Sequence, residues 1–173
     1  MKLAPLLAAS FTLIVASSAP IVKAASLPTS RPARTLFRFV NELAKLRPFE
    51  VKTVNRLLVS PLTADTDNGY FQTFNAPAQV VAGLSITSVK LVSPMAGSGA
   101  LTGALLVFEL GGECVDPTIV RLHYKARSDI AVVTDGGPPP PAPYLLTKPT
   151  SWGSVEFSSD LNCVKSVSFN YQP

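Results

Sequence analysis

Apolar residues recur at helical spacing soon after residue 35. Leu36, Phe37, Val40, Leu43 and Ala44 share one side of a helical wheel, while Arg38, Asn41, Glu42 and Lys45 fall largely on the other. The segment "ARTLFRFVNELAKLR" therefore predicts an amphipathic helix, with Ser30 or Thr35 able to cap its start and Pro48 to end it. The next stretch, "PFEVKTVNRLLVSPL", reads two ways. Val51, Val54, Leu57 and Leu58 line up on a helix, whereas Phe49, Val51 and Thr53 also alternate as a strand would. A short helix over residues 49–58 is the preferred reading.

Beyond Pro61 the texture changes from helical to extended. "TADTDNG" has turn chemistry, and short β runs then follow, separated by Gly, Pro, Asn and Asp. "YFQTFNA" is the first run and "GLSITSVKLVS" the second. In the second the apolar spacing slips between Ile86 and Val89, which predicts a bulge or bend. "LTGALLVFEL" follows a glycine turn. In "TIVRLHYKA", Val120, Leu122, Tyr124 and Ala126 alternate with Arg121, His123 and Lys125, as in a strand with one buried and one wet face. "DIAVV" adds a short strand, and "SWGSVEFSS" and "CVKSVSFNY" form a hairpin through "DLN".

Helix first and strands after predict an α+β fold, with one or two N-terminal helices packed on a twisted antiparallel meander. The order is similar in outline to cystatin-like and other small inhibitor folds, a likeness of topology that no motif supports and that bears on function only as analogy. No internal repeat and no compositional break demands a second domain.

The amino-terminal segment predicts export from the cytosol. Residues 1–24, "MKLAPLLAASFTLIVASSAPIVKA", have the charged start, apolar middle and small-residue close of a secretory signal peptide. Val22 and Ala24 satisfy the small-residue requirement, so cleavage is expected between Ala24 and Ala25. Residues 25–32 make a short leader and 33–173 a single domain. An exported destination, periplasmic or secreted, agrees with the even cysteine count: Cys114 and Cys163 are expected to form one disulfide. Closing a loop of about 50 residues would contribute roughly 4 kcal/mol in the chain-entropy model.

Charge adds one asymmetry. Residues 25–60 carry Arg31, Arg34, Arg38, Lys45, Arg47, Lys52 and Arg56 against Glu42 and Glu50. A basic amino-terminal face of this kind suits an anionic partner or surface, though it also suits an ordinary solvated helix. The basic residues lack the interleaved aromatics of a nucleic-acid stripe.

Candidate chemistry is sparse. His123 is the single histidine and is expected on the wet face of a strand, without the oriented partners of a triad. The cysteines are committed to each other, so neither thiolate chemistry nor a zinc site is expected. Glu109, Glu113 and Asp116, and the pair Asp65 and Asp67, lack the ligand spacing of a calcium loop. No catalytic residue, metal or cofactor is assigned.

"TDGGPPPPAP" opens a proline-rich loop spanning residues 134–150. Polyproline conformation would make it a stiff spacer, and its length suits either a crossing between strands or a partner contact. Pro138, Pro139, Pro140, Pro141, Pro143, Tyr144 and Trp152 are the candidate partner-contact residues. By strand period Trp152 sits on the polar side with Ser154 and Glu156, and with Tyr144, Phe157 and Tyr171 it is a candidate aromatic patch.

Three functions follow. The first is an exported, non-enzymatic binding or inhibitor-type module that meets a protein partner. The second is an envelope-associated structural protein that contacts anionic lipid or cell wall through its basic amino-terminal face. The third is a hydrolase with an unrecognised carboxylate site.

Overall fold

The computed structural model of the chain describes residues 30–96, 103–130 and 144–172. The expected signal peptide, its Ala24/Ala25 cleavage pair and Pro138–Pro143 lie outside those residues.

Helix α1 spans Arg31–Leu43 and buries Ala33, Leu36, Phe37, Phe39, Val40 and Leu43, so the apolar stripe is its inner face. The Ser30 hydroxyl accepts from the Ala33 N–H at 3.4 Å, while Thr35 instead donates to the Arg31 carbonyl at 3.1 Å. Helix α2 follows at Val51–Asn55, shorter than the segment expected for it, with Val54 buried.

The strands are β1 (Thr63–Asp67), β2 (Phe71–Ala76), β3 (Gln79–Val81), β4 (Leu84–Pro94), β5 (Ala104–Leu110), β6 (Arg127–Ile130), β7 (Tyr144–Thr150), β8 (Gly153–Ser159) and β9 (Val164–Tyr171). They form one antiparallel sheet of nine strands, in the order β1-β2-β4-β5-β9-β8-β7-β6, with β3 pairing β4. This is not a single meander. Two four-stranded runs, each preceded by helix, meet through their last strands, β5 against β9 from Ala104↔Tyr171 to Glu109↔Ser166. The strand order reads alike from either edge, an arrangement that the dissimilar sequences of the two halves conceal.

The core lies between the helices and one face of this sheet. Phe39 of α1 meets Phe108 of β5 edge-on at 5.0 Å between ring centroids, and Phe49 reaches Phe169 of β9 at 5.6 Å. Leu91, Leu106, Phe169 and Val155 form one buried row across β4, β5, β9 and β8. The expected bulge is present as a register shift between Ile86 and Ser88.

Several further elements differ from the sequence reading: β3 had no counterpart in it, and the strand expected at "DIAVV" begins earlier, at Arg127, with residues 131–133 outside the described ones. "TIVRLHYKA" is not a strand: Pro117–Tyr124 is helix α3. Asp116 caps it through a 2.7 Å bond from the Thr118 N–H, Pro117 takes the first turn, and Lys125 in the left-handed conformation closes it. Val120 and Tyr124, four apart, are buried, whereas Leu122 is 53% exposed. Residues 120 and 124 satisfy both periods, and the cap chemistry of Asp116–Pro117 decides between them.

The "TADTDNG" turn contains strand β1, which is exposed along its whole length and so carries no alternation to read. Tyr144–Thr150, assigned above to the proline-rich loop, is strand β7. Its Pro149 pairs with Ser154 but lies beyond the last β6 pair, Arg127↔Thr147, so its missing N–H deprives no inner ladder.

Cys114 and Cys163 are bonded to each other. With the segment 117–124 helical, the bridge joins the approach to α3 to the approach to β9, rather than two strands. The Val164 N–H donates to the Val115 carbonyl at 2.9 Å beside it. No helix among the described residues is long and apolar enough to cross a membrane.

Candidate functional site

Helix α1 turns a basic ridge outward. Arg31, Arg34 and Arg38 are exposed and stand three and four residues apart, which places them on one side of the helix opposite Leu36 and Val40. Together with Thr35 and Gly83 they border a surface depression of about 530 Å³. A second hollow, about 360 Å³, shares Arg31, Thr35 and Gly83 and continues over Pro32, Leu84, Ser85, Gly111, Gly112 and Glu113.

The fold builds this end from two directions. Ser30 and Pro32 start α1 above the tip of the β3–β4 hairpin, where Gly83 turns at φ +85°. A Cβ on Gly83 would come within 3.7 Å of Thr35 Cγ2, so the tip lies directly against the helix. A side chain there would carry backbone strain rather than meet a clash.

None of the ion pairs among the described residues reaches the ridge, although Glu113 lines the same hollow as Arg31. Among the described residues the ion pairs are Lys45–Glu42 at 2.7 Å and Lys165–Asp160 at 3.0 Å, and neither includes a ridge arginine. The first turn of α1 holds no acidic residue, so Arg31 and Arg34 add their charge to the positive end of the helix dipole. Side chains chosen for helix stability would have the opposite sign.

The other candidates fall elsewhere. His123 is on α3, and its ring stacks on Phe37 at 3.8 Å and 3°, with Tyr124 edge-on at 4.7 Å. Burial, and secondarily the nearby Lys148 ammonium, hold its pKa below the ordinary histidine value. Lys148 Nζ lies over the Tyr124 ring at 4.8 Å. Burial pushes the Tyr124 phenol upward, and its hydroxyl donates to the Phe37 carbonyl at 3.4 Å. These contacts dock α3 on α1.

Trp152 precedes β8 in a turn, so strand period does not set its direction. Its ring is half-buried against Phe49 at 6.2 Å and Tyr171 at 6.5 Å, with the Arg47 guanidinium 4.9 Å from its centroid. Phe157 is fully buried and belongs to the core, not to an exposed patch with Trp152. Gly153 beside it is obligatory, since a Cβ would fall 1.9 Å from the Asn170 carbonyl oxygen. Tyr144 opens β7 opposite Ser159.

No protein-family model, curated protein or solved structure matches the chain.

The acidic residues are dispersed. Asp116 caps α3, Glu113 lines the smaller hollow, and Asp65 accepts from Asn75 Nδ2 at 2.8 Å on β1. Asp160 is held in the β8–β9 turn. The Asn162 and Cys163 N–H groups reach it at 2.9 and 2.7 Å, and together with Lys165 they lower its pKa to about 2. Among the described residues no three His, Cys, Asp or Glu side chains gather as metal ligands. The site that the structure adds, the junction of the arginine ridge with the hairpin tip, was half legible: the charges stand in the sequence, but Gly83 read as the start of the second β run rather than as a hairpin tip under α1.

Proposed function

We propose that the protein is an exported, non-catalytic binding protein that engages an anionic partner through the outer face of α1. The observation that carries this reading is the alignment of Arg31, Arg34 and Arg38 around one depression, with none of them in an ion pair among the described residues. Three like charges on one helical face cost stability, and an anion placed among them removes that cost. The disulfide supports an oxidising compartment. The other reading, a protein partner met through the proline-rich loop, rests on residues 134–143, which lie outside the described structure.

The test is binding of the processed chain to an immobilised polyanion, dextran sulfate, at 50 and 300 mM salt. Binding is expected to weaken steeply with salt, because exposed charges are screened over about 10 Å at 0.1 M. The triple substitution Arg31→Glu, Arg34→Glu and Arg38→Glu is expected to abolish it. A triple variant that binds as the parent does would remove α1 as the contact.

A further inference from the structure

The hollow beside the ridge carries charges of both signs. Arg31 and Glu113 line it from distant parts of the chain, the first residue of α1 and the connection between β5 and α3. Both are exposed, and neither enters an ion pair among the described residues. A carboxylate is an unexpected neighbour for an anion-binding surface, because it repels the ligand. Its backbone is nevertheless fixed there: Gly112 turns at φ +77° just before it, and Cys114, just after it, is bridged to Cys163. The rest of the border includes bare backbone and apolar surface. Gly83, Gly111 and Gly112 present no side chain, and Pro32 and Leu84 are half-buried. At about 360 Å³ the hollow falls within the roughly 300–1,000 Å³ of small-ligand sites, and it shares Arg31, Thr35 and Gly83 with the depression that Arg34 and Arg38 border.

We infer that this hollow holds one ring of an acidic saccharide chain, a sugar polymer bearing carboxylate or sulfate groups, while Arg34 and Arg38 hold the anionic groups of neighbouring rings. The inference rests on the anionic-partner reading above and names the class of partner. A substituted sugar ring offers three kinds of contact, and the hollow has a counterpart for each. The anionic substituent pairs with Arg31, ring hydroxyls donate to the Glu113 carboxylate, and the C–H face lies against Pro32 and Leu84. Polyphosphate offers charge alone, so Glu113 opposes it with no hydroxyl to offset the repulsion. Glycine at the border lets a ring come close to the backbone. The continuity of hollow and ridge suits a polymer rather than a single sugar.

The experiment measures binding of the processed chain to dextran sulfate, polygalacturonate, inorganic polyphosphate and unmodified dextran, the three polyanions at equal charge concentration. Tighter binding to an acidic saccharide than to polyphosphate is expected, with none to dextran. If only one of the two acidic saccharides binds, the inference stands and the anionic group is fixed as sulfate or carboxylate. The substitution Glu113→Ala gives the deciding sign. Were Glu113 only a repelling charge, its removal would strengthen binding of every polyanion. As an acceptor of sugar hydroxyls, its loss should weaken acidic-saccharide binding by about tenfold while polyphosphate binding rises by about twofold. Retained polyphosphate binding and an unchanged circular dichroism spectrum show that the variant keeps its fold and ridge. Saccharide binding that is unchanged or stronger in Glu113→Ala overturns the saccharide site while the anionic contact stands. Polyphosphate binding as tight as that of both saccharides in the parent does the same. Binding to none of the polyanions overturns both.

Discussion

The two halves of the sheet follow one plan and use their charges in opposite ways. Each has helix followed by a four-stranded antiparallel run, and the last strands, β5 and β9, join the halves. In the carboxy-terminal half Asp116 caps the start of α3 and Arg121 lies in its last turn, the signs that the helix dipole favours, although α3, like α1, has no acid within its first turn. In the amino-terminal half α1 begins on Arg31, has no acid in its first turn and no base in its last. The Asp116 carboxylate caps α3, while Arg31, Arg34 and Arg38 on α1 enter none of the ion pairs among the described residues. A departure from local consistency of this kind marks a functional surface more readily than a structural one.

Anchoring differs as well. Helix α1 buries six hydrophobic residues along three turns, whereas α3 buries Val120 and Tyr124 and is tied at its start by the disulfide. Replacing Phe39 by Ala removes the ring that meets Phe108 and should cost about 3–5 kcal/mol, read from the denaturant midpoint. Reducing the Cys114–Cys163 bond comes next, at roughly 4 kcal/mol by loop entropy with strain able to lower it. The distribution sharpens the contrast. Hydrogen exchange after reduction should rise first in residues 114–128, and in the Phe39→Ala protein along α1. Equal loosening of both helices in either experiment would break the comparison.

The caps give a smaller effect of the same kind. Asp116→Ala should cost about 1 kcal/mol, because a charged acceptor at 2.7 Å is lost. Ser30→Ala should cost about 0.5 kcal/mol, since its bond is long at 3.4 Å. Thermal melts of the two single variants compare them directly.

Acid should act mainly on the carboxy-terminal half, in two windows. The His123 pKa is lowered in the folded chain, so the unfolded chain takes up the proton first and stability declines as pH falls below about 6.5. Asp160 titrates near 2 rather than 3.8, so its contribution is present above that ordinary value and is lost as pH falls toward 2. His123→Gln should flatten the first decline and Asp160→Asn the second, with urea midpoints measured from pH 8 to pH 2. Unchanged slopes in both variants would place the acid sensitivity elsewhere.

The smallest expected effect carries the sharpest sign. Arg31→Glu should raise the stability of α1 by about 0.5 kcal/mol, because a negative charge suits the helix start, while it weakens anion binding. A loss of stability instead would mean that Arg31 supports the fold, and the contrast between the halves would fail.

How much of this was open to sequence reading follows the same division. An amphipathic helix leaves its period in the chain, so α1 and its outward arginines were legible together. The β8–β9 hairpin was legible for the same reason, its buried positions alternating through Val155, Phe157, Val167 and Phe169. Strand β1 was not, because an edge strand wet on both faces needs no apolar alternation. Helix α3 was missed because two buried residues four apart satisfy both periods, and only the Asp116–Pro117 cap separates them.

By itself the sequence determined the local periods, the caps and the cysteine pair, because each depends on residues near in the chain or on a composition that folding leaves unchanged. Tertiary structure alone decided that β5 pairs with β9, that Gln79 fastens the Val59–Ser60 backbone to β3, and that the Gly83 tip lies against α1. Those contacts join segments far apart in sequence, and the free energy that selects them comes from burying one sheet face under the helices, which no local pattern encodes.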